Sequence, residues 1–337
     1  MRPAVKKWLM WGLGLAALAG LLWWALHKAP LAGIWSAIRR LQAWQVGVLL
    51  AVNTLLYILV TLRWWIIVRA EARQVPYLPL LGVRISVFGI SYFTLGPQVG
   101  GEPLQVLSLQ RKYGIPYTRA TASVLLDKLL EFLVNFFMLA LGLTAVFQAG
   151  LLAGSRLQLW ISLLLLGGLV LVPPVHLLFL YRRRYPLTGL LRSLTFVHQR
   201  AKPVRFACAA ERMAGMFCQR HPRALLTALG VSLLAGAGML ADYFLMTSFL
   251  GIQLPFWRLV AGWTAGWLSF LFPLPGGLGA LESSQVFALG MFGIPAAAAL
   301  SLVLVMRGRD LLIGGLGLFL AGHGITVPRK SISTIYP

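Results

Sequence analysis

Chemistry in this sequence starts from charged residues set where charge is costly. Asp127, Lys128 and Glu131 stand inside an apolar run over residues 120–147. Arg307, Arg309 and Asp310 do the same in a run over 296–322, and Asp242 lies well inside a run over 224–250. Inserting an ionisable side chain into a membrane span costs a few kcal/mol or more, so each is a candidate functional residue. Lys128 and Glu131 are three positions apart, as are Arg307 and Asp310, so each pair shares a helix face and can form an ion pair. Such pairs suit either of two tasks: locking helices together, or contacting a phosphate while the acid orients the cation or carries a proton. Asp127 and Asp242 are candidates for proton or headgroup coupling, and Asp242 has no evident partner in its own helix. Arg63, near the inner end of a run over 46–68, reads as a side chain snorkelling to the interface.

Upstream of each charged helix is a segment that cannot continue a regular helix. The first reads Gly96-Pro97-Gln98-Val99-Gly100-Gly101-Glu102 and reaches Gly114-Ile115-Pro116; the second reads Pro273-Leu274-Pro275-Gly276-Gly277-Leu278-Gly279, then Glu282, and reaches Gly293-Ile294-Pro295. A basic residue follows each final proline by 12 positions (Lys128, Arg307) and an acid by 15 (Glu131, Asp310). The agreement in register marks a duplication. Proline lacks a donor and glycine tolerates unusual backbone angles. The backbone groups freed there must face protein or a polar cavity rather than lipid. Helix ends at the breaks would offer N–H groups to an anion. The bland alternative, close packing or a kink, weighs equally for one such segment but less for two matched ones.

The elements that must position these residues follow from composition. Hydrophobic residues make up 59% of 337 positions and charged residues 11%, against roughly a quarter charged in soluble domains. Apolar runs near 8–26, 46–68, 81–95, 120–147, 157–180, 224–250, 260–272 and 296–322 suit a hydrocarbon core about 30 Å thick. Strand alternation is absent, which argues against a β-barrel. Residues 31–44 place Trp35, Ile38, Leu41 and Trp44 at helical spacing, as an interfacial helix would. The net charge of +22 fits cytoplasmic loops under the positive-inside rule rather than nucleic-acid binding. Ten Lys/Arg against Glu211 alone occupy residues 181–223. All basic clusters fall on one side if the runs over 81–95 and 260–272 turn back as hairpins. The expected fold is therefore all-α: a polytopic integral membrane protein with about six full spans and two re-entrant hairpins forming an inverted repeat. Both termini lie in the cytoplasm, while Lys28, Arg39 and Arg40 fall outside. The expected organisation is one transmembrane domain over 1–337: N-terminal spans (1–80), a first hairpin-plus-helix repeat (81–147), connecting spans with the basic loop (148–255), a second repeat (256–322) and a tail (323–337). The basic start and apolar run to residue 26 lack a small-x-small cleavage site and read as a retained span. Five histidines share no ligand spacing, and Cys208 and Cys218 read as free thiols, so no metal site or cofactor is expected.

The Pro-x-Pro-Gly-Gly-x-Gly-x-x-Glu element at Pro273–Glu282, the Gly293-Ile294-Pro295 triplet and the helix bearing Arg307 and Asp310 resemble the flippase-like transmembrane family. That family is typified by the membrane half of bacterial lysylphosphatidylglycerol synthase, the multiple peptide resistance factor. Gly100-Gly101-Glu102, Gly114-Ile115-Pro116 and the stretch from Ser123 to Glu131 also fit, and the likeness runs from about Trp8 to Gly322. Where the family often has arginine, this chain has Lys128, which keeps the charge and loses the fork.

The resemblance implies movement of a lipid or lipid-linked headgroup between leaflets of a bacterial or archaeal cytoplasmic membrane. The best-known member also carries a soluble aminoacyl transferase domain. This chain ends at Pro337, so lipid aminoacylation is not expected and no catalytic residue is assigned. No phosphate-binding loop for a nucleotide occurs, which leaves downhill movement or an ion gradient. The expected substrate contacts are Gly100, Gly101, Glu102, Lys128, Glu131, Pro275, Gly276, Gly277, Gly279, Glu282, Arg307, Arg309 and Asp310. The expected partner is an anionic or polyprenyl-linked membrane lipid; a homo-oligomer or a lipid-synthesis enzyme is a second possibility. Two other readings stand beside this one. A lipid-linked glycosyltransferase would want acids in the first outer loop, and residues 27–45 hold none. A non-transporting partner of envelope-synthesis enzymes would use the basic loop.

Overall fold

A computed structural model describes residues 39, 41–94, 101–148, 156–193, 202–270 and 274–323. The expected first span, most of the interfacial helix, Lys28, Arg40, Gly96-Pro97, Gly100, Pro273 and the tail beyond 323 lie outside the described residues.

Every regular element described is helical. In chain order they are α1 (Ala43–Glu71), α2 (Tyr77–Phe93), α3 (Glu102–Tyr113), α4 (Tyr117–Gln148), α5 (Arg156–Tyr181), α6 (Pro186–Ser193), α7 (Lys202–Arg220), α8 (Pro222–Phe249), α9 (Phe256–Ser269), a 3-10 turn (Pro275–Gly277), α10 (Ala280–Gly290) and α11 (Ala296–His323). α1 and α8 each have a mean hydropathy of 2.0, and only 22% of each apolar stretch is buried inside the protein. Their exposed apolar faces need a lipid solvent.

Breaks and turns divide the helices where the sequence forbids continuation. α2 ends before the Gly/Pro segment and α9 before the second one. Short helix α3 ends on left-handed Gly114 (φ 66°), whereas α10 ends at Gly290 and a short turn leads to left-handed Gly293 (φ 80°); Ile-Pro and a long helix follow in both cases. α2 packs along α11, α9 packs along α4, and α1 lies against α8. One apolar core, around Trp64, Leu80 and Leu109, joins α1 to α4. A second, around Leu281, Leu289 and Leu302, gathers the later helices.

The basic stretch is more ordered than its charge suggests. α7 buries Ala210, Ala214, Phe217 and Cys218, a helical stripe against α4 and α5. Glu211 on the same helix is fully buried. It accepts hydrogen bonds from the Leu187 and Thr188 backbone N–H groups at 2.9 and 2.7 Å and from Thr188 Oγ1 at 2.6 Å. Those N–H groups open α6, so a carboxylate there both caps the helix and complements its dipole. Cys208 and Cys218 are free thiols, and burial pushes the Cys218 thiol up to about 11.

Candidate functional site

The chain has eight acids; all but Glu71 and Glu211 converge on one polar region in the middle of the bundle. Their concentration identifies it as the candidate site, because an apolar bundle gains nothing from charge it could place at its ends.

The first network gathers on α4. Asp127 is fully buried. Arg63 Nε lies 2.6 Å from Asp127 Oδ1 and Arg63 Nη2 lies 3.0 Å from Glu131 Oε2. Arg63 Nη1 donates to Ser232 Oγ on α8 at 3.1 Å. Arg84, from α2, bridges the same acids at 2.9 Å (Asp127 Oδ2) and 3.3 Å (Glu131 Oε2). Lys128 Nζ sits 3.3 Å from Glu131 Oε1 and 3.4 Å from Glu102 Oε1 on α3. Three cations thus face three carboxylates.

Arg307 anchors the second broken segment. Its guanidinium donates to Glu282 Oε1 at 3.0–3.1 Å, to Gly277 O at 3.1 Å and to Tyr92 Oη at 3.2 Å, and it also donates to Gly276 O. Gly276 (φ 58°) and Gly277 (φ 64°) hold the left-handed backbone that turns both carbonyls inward. A Cβ on Gly276 would lie 3.0 Å from the Tyr92 ring and 3.1 Å from Arg307 Nη1. Glu282 accepts the Gly279 N–H at 2.8 Å and so caps α10 as well. In the first unit Gly101 does similar work, since a Cβ there would lie 2.7 Å from Val87 O.

Arg309 forms a third network. It pairs with Asp242 of α8 and, through Nη2 at 2.9 Å, with Asp310 Oδ1.

Several sequence expectations change here. Arg63 does not snorkel: it is 2% exposed, because Asp127 and Glu131 draw it inward. Lys128 and Glu131 do pair along α4, but Arg307 and Asp310 do not pair along α11. The carbonyls and Glu282 take Arg307, and the adjacent Arg309 takes Asp310. The broken segment at 275–279 presents carbonyls to a cation, and its free Gly279 N–H is already capped, so it is not an open anion cradle. Asp242 finds its partner on α11. Arg63 and Arg84 were missed as site residues. A signal for Arg63 was present: it precedes Asp242 by 179 residues, the interval that also separates Lys128 from Arg307, Glu131 from Asp310 and the two Gly-Ile-Pro triplets. Arg84 has Trp263 at that interval, so only its place in an apolar run could have singled it out.

The networks surround a cavity of about 260 Å³. Arg84, Glu102, Lys128, Glu131, Arg309 and Asp310 reach it, with Asp242 and the apolar faces of Trp263 and Trp267. Gln105 lines it too, and neither atom of that buried amide has a protein partner, nor does Trp267 Nε1. Beside it, an apolar groove of about 610 Å³ runs between α3, α4 and Phe206 of α7, and Glu102 and Lys128 line both spaces. Each described cation lining the cavity already touches a carboxylate, so an incoming anion must displace one. Among the described residues no cluster of three or more His, Cys, Asp or Glu could hold a metal ion.

Comparison with known proteins agrees with this architecture. The chain is 26% identical over 327 residues to a UPF0104 membrane protein of Pyrococcus horikoshii, covering 90% of this chain and 92% of that one. No solved structure matches. The family model for the lysylphosphatidylglycerol synthase TM region matches residues 10–317, so the chain belongs to that membrane protein family.

Proposed function

We propose that this chain is a lipid translocator: it moves an anionic or lipid-linked headgroup between leaflets of the cytoplasmic membrane without hydrolysing a nucleotide and without acting as an enzyme. The observation that carries this is the shared wall of the two spaces. A charged cavity meets an apolar groove at Glu102 and Lys128, which fits an amphiphile with its headgroup among the charges and its chain in the groove. Gln105 and Trp267 add hydrogen-bonding groups that want a polar guest.

Six full spans and two inverted hairpins, with both termini inside, complete the reading. Reciprocal packing supports it: the hairpin helix of each unit lies on the long helix of the other, α2 on α11 and α9 on α4, with α1 against α8. Units exchanged in this way can rock about a central site, as inverted-repeat carriers do. The headgroup would meet Lys128, Arg309 and Arg84, and Glu102, Glu131 and Asp310 would release those cations in exchange for it.

Reconstituted protein should accelerate the loss of fluorescently labelled phosphatidylglycerol from the outer leaflet of liposomes, read by quenching with an impermeant reductant. Lys128→Gln and Glu102→Gln should each slow this at least tenfold while the protein stays monodisperse. Wild-type rates in both variants, or no movement by wild-type protein of any anionic phospholipid, would sink the proposal. Co-purification of such an inactive protein with one lipid-synthesis enzyme would instead favour a partner role for the basic α6–α7 platform.

A further inference from the structure

One charge is left over in the third network. Arg309 faces two carboxylates, Asp242 and Asp310, and no other described cation contacts either. Asp242 is 3% exposed, yet its Oδ1 has no partner. On α1, Asn53 is 6% exposed and lines the same cavity, and its Oδ1 is also without a partner. The contrast with the first network is direct: there three cations meet three carboxylates.

An uncompensated charge in an apolar bundle is expensive, and so is each buried acceptor left without a donor. Two such acceptors and one excess negative charge bordering one cavity call for a positive ligand offered only oxygen. We infer that Asp242, Asp310 and Asn53 form a binding site for one monovalent cation, either a proton or a sodium ion. A proton on Asp242 would turn an acceptor into a donor for Asn53 Oδ1. Sodium would take the three side-chain oxygens as ligands. In both cases the cation brings the network to neutrality, so loading and release change the charge of the cavity wall by one unit.

The site's surroundings leave that unit uncompensated. From the helices packed on α8, the titratable groups reaching the cavity are Tyr57 on α1, Lys128 and Glu131 on α4, and Arg309 and Asp310 on α11. Lys128 and Glu131 are held in the balanced network. Arg63 meets α8 at Ser232, well away from Asp242 in the helix. α9 brings Trp263, Gly266 and Trp267 to the cavity and no titratable group, and α7 meets α8 at Ala228 near its start.

As a coupling ion the cation rests on the translocation reading; as a binding site it does not, and the test uses binding alone. The full chain in phosphatidylcholine nanodiscs is titrated from acid to alkaline buffer while the carbonyl stretch of protonated carboxyl groups is followed by infrared difference spectroscopy. A parallel sample is titrated with radiolabelled sodium. A protonated-carboxyl band that is lost on alkalinisation and absent in Asp242→Asn identifies a proton. Saturable sodium binding, one ion per chain and lost in the same variant, identifies sodium. Asp310→Asn must abolish whichever signal appears, because removing either acid leaves Arg309 balanced one to one. A helix-packing role for Asp242 would not produce that equivalence. Absence of both signals in wild type, or survival of the signal in either variant when both remain folded by thermal melting, overturns the inference. Neither result depends on lipid movement, so translocation stands or falls separately.

Discussion

Lys128 on α4 and Arg307 on α11 follow their Gly-Ile-Pro turns at the same distance, and each reaches back to the acid in the first turn of the preceding short helix, Glu102 or Glu282. What differs is the rest of each shell. Lys128, a point charge, pairs with two side-chain carboxylates, Glu102 and Glu131, both partly exposed to the cavity. Arg307 spreads its planar fork over two backbone carbonyls, Glu282 and Tyr92 of α2. Contacts to carboxylates on a cavity wall can be exchanged for a phosphate; contacts to carbonyls of a broken helix cannot, without unmaking the fold there. On the translocation reading proposed above, the first region carries the exchangeable cation and the second a strut that holds the break open. Lysine at 128 is a functional choice on this view, not a weaker arginine.

The largest effect should come from emptying the balanced network. Arg63→Met leaves fully buried Asp127 with Arg84 as its remaining cation, and removing one partner of a buried pair costs about 3–5 kcal/mol. Denaturant or thermal unfolding in detergent should register that loss. Asp242→Asn on the opposite side removes an acid from a network that has one too many, and should cost far less. Equal losses would mean that the two networks are balanced alike.

A conservative swap separates strut from exchangeable cation. Arg307→Lys keeps the charge but forfeits the fork to Gly277 and Tyr92, and should cost about 2 kcal/mol, the scale of a charged hydrogen bond. Lys128→Arg should leave stability nearly unchanged while slowing lipid movement, since a fork bound to Glu102 and Glu131 is harder to displace. If Lys128→Arg destabilises as much as Arg307→Lys, the two positions do the same job.

Much of this was legible from residues alone. Apolar length gave α1, α4, α5, α8 and α11 nearly to their ends, and Pro/Gly content located both breaks, because a span of about 20 apolar residues and a missing backbone donor are local properties. Partners were not local. Arg63 meets Asp127 across 64 positions and Arg309 meets Asp242 across 67. Helical spacing alone favoured Arg307 with Asp310, and tertiary competition from Glu282 and two carbonyls reversed it. α7 was hidden for another reason: its buried stripe at Ala210, Ala214, Phe217 and Cys218 is regular, but the surrounding arginines made the stretch read as a loop.

The smallest contrast concerns the reciprocal helix contacts that would let the two units rock. On the α2–α11 side backbone meets backbone: a Cβ on Gly89 would lie 2.6 Å from Gly314 O and 2.8 Å from Leu318 N. On the α4–α9 side a Cβ on Gly142 would meet Thr264, its Oγ1 and, at 2.6 Å, its Cβ. Neither neighbour tolerates the extra carbon where it stands; Thr264 Oγ1 can rotate aside, but Thr264 Cβ, which the α9 backbone fixes, and the Gly314 and Leu318 backbone cannot. Gly89→Ala should therefore push α2 off α11 and Gly142→Ala push α4 off α9, each at a cost of about 1–3 kcal/mol, with Gly142→Ala the smaller because one of its contacts can yield. Paired thermal melts of the two variants read the difference. The consequence for movement is sharper than for stability. A seam closed by backbone has one arrangement, whereas one closed partly by a threonine hydroxyl has some slack. Gly142→Ala should therefore impair lipid movement less than Gly89→Ala. The reverse order would put the sliding seam at α2–α11 and exchange the roles assigned to the two sides.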